Sequence, residues 1–328
     1  MKSKEEAFID FIAEKYALKG SRDGIFGIGD DCAVIPGPGK EQYVITCDML
    51  CEDTHFAKAM ISPFELGWKS AAVNISDIAG MAGKPLYAFV SLGMPYPDTE
   101  YCDGFYRGLC SCLDKNDTLI CGGDTVKSEK IVINLTVVGK AGRPVYRSGA
   151  RPGDAVMLCG TPGASAAGLE ALLAMGRERA EAAYPLLVRR HLMPEPVMCS
   201  FLLKDLAGAM MDVSDGISKD LAALCLASGA GACIKEDSIP VCDALKEYCS
   251  AEGKDPVALA VSGGEDYGLL FTCRPENSGI CAGLMKENGV LCTKIGEITR
   301  KEEVYMLDKT GCRRPLPAGW QHFGDARS

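Results

Sequence analysis

No stretch of this sequence stays apolar for the roughly 20 residues that a membrane-spanning helix needs. The first residues, Met1-Lys2-Ser3-Lys4-Glu5-Glu6, are charged and lead into an amphipathic pattern with no apolar signal core, which points to the cytoplasm. Basic residues are outnumbered, 35 against 44 acids, for a net charge of −9. That balance argues against nucleic-acid binding, which wants a basic face. It leaves phosphorylated small molecules open, because a metal can bridge acid to phosphate. Histidine is scarce: His55, His191 and His322 are far apart and show no metal-site spacing. There is no Gly-x-x-x-x-Gly-Lys-Ser/Thr loop, no protein-kinase signature and no dinucleotide fingerprint after a strand. Cysteine is the opposite case. There are 17, an odd number and dispersed, with no zinc-type pairing; Cys110-Ser111-Cys112 is not a CxxC pair. A chain this long has no need of disulfide staples, so most of them read as small buried hydrophobes in a reducing compartment.

What is present is aspartate beside glycine, serine or asparagine. Gly27-Ile28-Gly29-Asp30-Asp31-Cys32 sets two adjacent carboxylates after two glycines. Alone it reads as an acidic turn. Asp48, Asn74-Ile75-Ser76-Asp77, Gly122-Gly123-Asp124-Thr125 and Asp212-Val213-Ser214-Asp215-Gly216 repeat the theme. Carboxylates scattered at element ends and converging on one place are what a hard, oxygen-liganded cation such as Mg²⁺ requires.

A length of 328 residues suggests two domains. The turn-rich segment Arg147–Asp154 separates them, giving 1–147 and 148–328. In the first half the patterns predict helices over Glu5–Tyr16, Pro63–Ala79 and Tyr101–Leu113. Strands are predicted over Tyr43–Thr46, Leu86–Leu92 and Ile131–Gly139, with a short buried strand at Thr118–Cys121 ending in the Gly-Gly-Asp motif. Asn74 and Asp77 share a side of their helix. Asp77 sits at the negative end of that helix, where a bound cation would offset the unfavourable dipole, although a solvated helix-end Asp is the plain alternative. The second half reads as α/β. Gly160–Ser165 opens a helix and is an ordinary strand–helix connection ahead of an anion site. Ser214 and Asp215 either cap the helix from Ile217 or serve a metal or nucleotide. The pattern Asn-x-Ser-Asp then Gly-Gly-Asp returns as Asp212-x-Ser214-Asp215 then Gly263-Gly264-Glu265, a hint that both halves face a shared cleft. Trp320 lies in a short aromatic tail that either plugs the core or lids a pocket.

Taken in order, Gly27–Asp31, Thr46–Asp48 with His55-Phe56, Asn74–Ala79, Gly122–Thr125, Asp212–Gly216 and Ser262–Tyr267 resemble the motifs of the thiamine-monophosphate kinase family. That family lies in the aminoimidazole-ribonucleotide synthetase-like superfamily. The resemblance spans about residue 5 to Phe323. It implies a two-domain α/β (α+β) fold, with an N-terminal sheet domain that dimerises and a C-terminal domain completing an ATP cleft. It implies ATP and thiamine monophosphate as substrates, several Mg²⁺ ions and a homodimer, and leaves a monovalent cation open. By motif, Asp30, Thr46, Cys47, Asp48, Asp77, Asp124, Asp212 and Asp215 would serve the metals. Tyr106, Gly123, Asp124, Arg147 and Ser214 would meet the nucleotide, and His55, Glu265 and Trp320 the thiamine moiety. No residue would act as covalent nucleophile or general base. Cys47 replaces the usual Thr, so only its carbonyl could ligate Mg²⁺. Ala164, Gly268 and Gln321 are further departures, on the substrate side.

Two other readings stand beside this one. Another ATP enzyme of the superfamily would release AMP if it activated an amide or formed selenophosphate. A non-catalytic sensor would bind ATP or thiamine phosphates without turnover.

Overall fold

The computed structural model describes residues 4–16 and 24–319. Helix α1 spans Lys4–Tyr16. The first half then builds a five-stranded sheet from β1 (Ala33–Pro36), β2 (Gln42–Cys51), β3 (Lys84–Met94), β4 (Leu119–Lys127) and β5 (Val132–Ala141). Its order is β1-β2-β5-β3-β4, antiparallel except for the parallel β3–β4 pair. Helices α2 (Pro63–Gly80) and α3 (Thr99–Asp114) complete this half.

The second half holds a seven-stranded sheet. In order across it are β12 (Arg313–Pro315), β11 (Val304–Leu307), β8 (Gly231–Lys235), β10 (Cys292–Thr299), β6 (Ala155–Cys159), β9 (Gly268–Cys273) and β7 (Ala207–Val213). Only β8–β11 is parallel, so the architecture is the α+β form of the expectation rather than a doubly wound parallel sheet. Around this sheet run α4 (Ala164–Met175), α5 (Arg177–Ala183), α6 (Pro185–Leu192), α7 (Ile217–Ser228), α8 (Asp243–Glu252), α9 (Pro256–Ser262) and α10 (Ser278–Glu287).

The element that ties the halves together is α2. Ser62 and Glu65 start it with a reciprocal capping box. The Ser62 hydroxyl accepts the Glu65 N–H at 3.3 Å, and Glu65 accepts the Ser62 N–H at 2.9 Å. Pro63 adds a preset φ at the first helical position. Leu66 through Ser76 and Ile78 through Gly80 are all buried. A helix buried all round sits inside the core. Here it packs on β2 and β5 of the first sheet and on β7 and β9 of the second. One continuous apolar core therefore crosses both halves, from Val34 and Val44 to Leu270 and Ile295. A smaller core, rich in sulfur at Met157, Cys159, Cys273, Cys281 and Met285, lies under α10.

Strand β5 alternates buried and half-exposed along its length, as its sequence pattern predicts for a half-buried strand. The strand expected over Thr118–Cys121 forms, but it is not buried. The strand there, β4, is exposed along all nine residues, lies at the sheet edge and continues through Gly122-Gly123-Asp124 to Lys127. None of the seventeen cysteines is bridged; seven are fully buried, while Cys47, Cys121 and Cys312 are exposed. Among the described residues, no helix is long and apolar enough to cross a membrane.

Candidate active site

Four elements converge where the two sheets meet. The loop before β1 brings Asp30 and Asp31, β2 brings Thr46 and Asp48, the last turns of α2 bring Ser76 and Asp77, and the end of β7 brings Asp212. Thr46 and Asp48, two apart on a strand, point to the same face, towards α2. The Thr46 hydroxyl donates a short hydrogen bond to Asp77, and the Asp48 N–H donates to the Asn74 side-chain oxygen at 3.1 Å. Asn74 and Asp77 thus face the same strand. Ser76 Oγ donates to Asp212 at 2.6 Å, linking α2 to the second sheet.

Asp31 Oδ2 accepts the Asp212 backbone N–H at 3.2 Å. Gly80 makes this approach feasible: a Cβ there would lie 2.2 Å from Asp31 Oδ2 and 2.9 Å from the Asp212 nitrogen. Arg147 closes the other side. Its N–H donates to Asp30 at 2.9 Å, its Nε to Asp30 at 3.4 Å and its Nη2 to Asp31 at 2.5 Å. Arg147, expected at the nucleotide, here serves as counter-ion to the acidic loop.

One guanidinium does not balance this much negative charge. Burial pushes the Asp30 carboxyl up against the pull of Arg147. Burial and the neighbouring charge of Asp30 carry Asp31 to about 7 despite the same guanidinium. Burial takes Asp48 to about 6. Asp77 is driven well up by burial and then by Asp48, Asp212 and Asp31, and Asp212 by burial and Asp31. Carboxylates this close and this dry cannot all be ionised without added positive charge.

Among the described residues, no three His, Cys, Asp or Glu side chains already stand at metal-ligand spacing. The fit to a metal is therefore one of donor chemistry rather than of a closed cage. All the donors are hard oxygens, buried and mutually repelling, which suits Mg²⁺.

Cys47 departs from the cluster. It lies on the opposite face of β2 from Thr46 and Asp48, where its sulfur meets the Asn134 amide nitrogen at 3.1 Å. Asp124 departs too. The register sets Asp48 in one row with the buried Leu135 and Val90 and with Gly123, and sets Asp124 in the next row with Ser91, Asn134 and the exposed Met49. Three strand spacings separate Asp124 from β2, about 14 Å. Within one chain it lies on the outer face of the sheet, away from the cluster. Gly123 beside it has φ +154 and its Cβ would strike the Val90 carbonyl, so the motif needs glycine there. Tyr106 is half-buried on α3, edge-on to Phe105.

Of the capping alternatives, neither Ser214 nor Asp215 caps α7, whose N-cap Gly216 has no side-chain cap. Asp215 instead pairs with Lys219 at 2.5 Å, and buried Asp220 accepts its N–H at 3.2 Å. At α4 the ordinary reading holds. The Asp266 carboxylate accepts the N–H groups of Gly163 and Ser165 at 2.6 and 3.0 Å, so the protein's own anion occupies that helix N-terminus. Glu265, next to it, is paired with Lys69 and His191. His55 accepts the Cys51 N–H through Nδ1 at 3.0 Å and lies close enough to Glu265 to help lower its carboxyl. Trp320 and Gln321 lie outside the described residues.

Several residues of the site escaped the motif reading. Asp31 sat in the opening motif without a role. Asn74 was legible only as a helix-face neighbour of Asp77, and Ser76 only as part of the same motif. Lys69, His191 and Asp220 gave no sequence signal at all.

Fold and site together define an AIR synthase-related protein. The chain matches the AIR synthase related protein N-terminal domain over residues 29–141 and the corresponding C-terminal domain over residues 151–309. It is 37% identical to the thiamine-monophosphate kinase of Aquifex aeolicus over 298 residues, 90% of this chain and 92% of that protein. It is 36% identical to that of Escherichia coli K12 over 311 residues, 93% of this chain and 94% of that protein. A solved structure described as AaThiL complexed with AMPPCP and TMP superposes with a TM-score of 0.86 at 35% identity, covering 98% of this chain and 99% of the other. The chain belongs to the thiamine-monophosphate kinase family.

Proposed function

We propose that this protein transfers the γ-phosphoryl group of ATP to the phosphate of thiamine monophosphate, giving thiamine diphosphate and ADP. The observation that carries the reading is the buried cluster of Asp30, Asp31, Asp48, Asp77 and Asp212 at the junction of the two halves, in a chain of this family. A substrate phosphate oxygen attacks the γ-phosphorus in line, and the bond from that phosphorus to the β–γ bridging oxygen breaks. The nucleophile is already anionic near neutral pH, so no general base is needed. The acceptor and donor phosphates repel by about 4 kcal/mol per charge pair at ~4 Å. Mg²⁺, when bound, supplies the positive charge that removes this repulsion and favours in-line transfer. Asp30, Asp48, Asp77, Asp212 and Asp215 would hold it, with the Thr46 hydroxyl and the Cys47 carbonyl as neutral donors.

In this reading residues 1–147 carry the metal and nucleotide side and residues 148–328 complete the cleft. Arg147 turns from Asp30 and Asp31 to the nucleotide, and Ser214 lies on the nucleotide side as well. His55, Glu265 and Trp320 receive the thiamine moiety, whose thiazolium cation suits a carboxylate and an aromatic face. Two chains pair through the outer face of the first sheet, where Met49 of β2, Tyr87 and Phe89 of β3 and Leu119 of the β4 edge are exposed. Pairing there brings Gly123 and Asp124, with Tyr106, to the site of the opposite copy.

The test is to incubate the purified protein with ATP, Mg²⁺ and thiamine monophosphate and separate the products by chromatography. Equimolar thiamine diphosphate and ADP, lost on adding EDTA, are expected. AMP in place of ADP would move the protein to a different superfamily reaction. Binding of both ligands without product would make it a sensor.

A further inference from the structure

Lys69, in the middle of α2, is 1% exposed and among the largest fully buried side chains of the described residues. Its ammonium lies 3.1 Å from Glu265 Oε2. His191 Nδ1, from α6, lies 3.3 Å from the same oxygen and 3.1 Å from Ser165 Oγ at the start of α4. Burial holds His191 neutral, with its pKa down at about 3. The hydrogen bond of Nδ1 is the one to Ser165, which holds the neutral ring against Glu265. One oxygen of Glu265 is therefore held by Lys69 and packed against His191, while the side chain keeps 29% of its surface exposed. The backbone contributes as well. Glu265 has φ +62 and Tyr267 φ +50, both left-handed, and their N–H groups donate to the carbonyls of Ser214 at 2.7 Å and Val213 at 2.9 Å. A non-glycine residue held in that region is a strained display of its side chain, and such strain concentrates at functional sites.

Folding alone gives no reason for Lys69. Replacing a buried ion pair by well-packed apolar groups is often neutral or stabilising, and α2 is otherwise an apolar core helix with small polar residues. What the pair provides is an ionised carboxylate in a place where burial would protonate it: Glu265 stays below the usual range against burial, chiefly through Lys69.

We propose that Lys69 is a positioning residue of the thiamine subsite, fixing Oε2 of Glu265 so that the carboxylate stays ionised and presents Oε1 to the cationic ring of the substrate. This rests on the reading of Glu265 under the proposed function. The charged and titratable groups facing Glu265 are Lys69 from α2, His191 from α6, His55 from the turn after β2, and Asp266 and Tyr267 of its own loop.

The experiment is steady-state kinetics of Lys69→Met, Glu265→Gln and the double variant with ATP, Mg²⁺ and thiamine monophosphate, together with calorimetric titration of thiamine monophosphate alone. Lys69→Met is expected to raise the KM and Kd for thiamine monophosphate by about tenfold or more and to leave the KM for ATP within about twofold. Without its counter-ion Glu265 takes up a proton more readily. The affinity deficit relative to wild type should therefore be largest near pH 6.5 and shrink towards pH 8.5. In the Glu265→Gln background, Lys69→Met should add almost nothing, because its only route to the substrate is gone. An unchanged thiamine monophosphate affinity in Lys69→Met overturns the proposal. So does an equal rise in the ATP KM, or effects that multiply in the double variant. Should Lys69→Met fail to fold, the double variant, which removes both buried charges, is compared with Glu265→Gln alone; equal affinities are expected and a further loss overturns the proposal. Wild-type protein that binds thiamine monophosphate without turning it over defeats the kinase reading, while the titrations still decide the role of Lys69.

Discussion

Asp77 shows how much of this protein's character is set at single residues. Its carboxylate is buried, accepts the Thr46 hydroxyl, and is pushed up by burial and by Asp48, Asp212 and Asp31. Asparagine has the same shape and can still accept that hydrogen bond, but it carries no charge. Asp77→Asn should therefore lower turnover by a factor on the order of 10³. The same change should stabilise the metal-free protein by on the order of 1 kcal/mol, because it relieves repulsion, and so raise Tm by a few degrees. Calorimetry in EDTA beside the product assay checks both; a lower Tm would show that repulsion does not dominate there. Gly80 gives the complementary case. Its missing Cβ is the space occupied by Asp31 Oδ2 and the Asp212 nitrogen. Gly80→Ala should cost about 1–3 kcal/mol in denaturant titration, since both the buried Asp31 carboxylate, held by Arg147, and the Asp212 backbone must give way. It should also cut activity at least about tenfold by parting the two acidic loops. Of these residues, the aspartates were legible because carboxylate beside Gly, Ser or Asn repeats along the chain. Gly80 and Asp31 were not, because their importance lies in what approaches them from residue 212.

At the scale of elements, local signals read well and tertiary ones poorly. Ser62-Pro63-x-Glu65 announces the start of α2, and the alternation of β5 announces a half-buried strand. The full burial of α2 was hidden, because its sequence cannot say that a second sheet will cover its far side. The exposure of β4 was hidden for a related reason: Leu119-Ile120-Cys121 is apolar whether the core or another chain covers it. The cap of α4 is a long-range event, supplied by Asp266 about a hundred residues on. So is the seat of α6 against α4 through His191 and Ser165. This last contact has a consequence for acid stability. Burial, aided by the Lys69 charge and opposed by Glu265, lowers His191 from 6.5 to about 3. Below about pH 6.5 the unfolded chain takes up a proton that the folded chain refuses. The contribution is complete above pH 6.5 and is lost progressively as pH falls towards 3. By pH 5 the loss amounts to about 2 kcal/mol, at 1.36 kcal/mol per pH unit. His191→Gln should flatten the acid limb of the stability curve by that amount between pH 7 and 5. Identical limbs for the two proteins in urea titrations would remove His191 from the explanation.

For the whole molecule, the decisive feature is that Asp124 and Asp48 lie on opposite faces of one sheet, three strands apart. A residue on an exposed edge strand beside exposed Leu119, Ile120 and Val126 is placed to serve another chain. If it serves the site of a second copy, two inactive variants should repair one another. Asp48→Asn spoils the site of its own chain, and Asp124→Asn spoils the site of its partner. In a mixed dimer, one site then combines both substitutions and is dead. The other joins the intact Asp48 of one chain to the intact Asp124 of the other and works. Random reassociation makes half the dimers mixed, and half the sites in each of those are whole, so about one quarter of wild-type activity should return. The two variants would be unfolded together, refolded and assayed for thiamine diphosphate, with each refolded alone as control. Recovery near a quarter would fix the working unit as the dimer and the site as shared. No recovery, with light scattering showing dimers and both variants folded, would mean that Asp124 acts within its own chain, which the register of β4 opposes, or not at all.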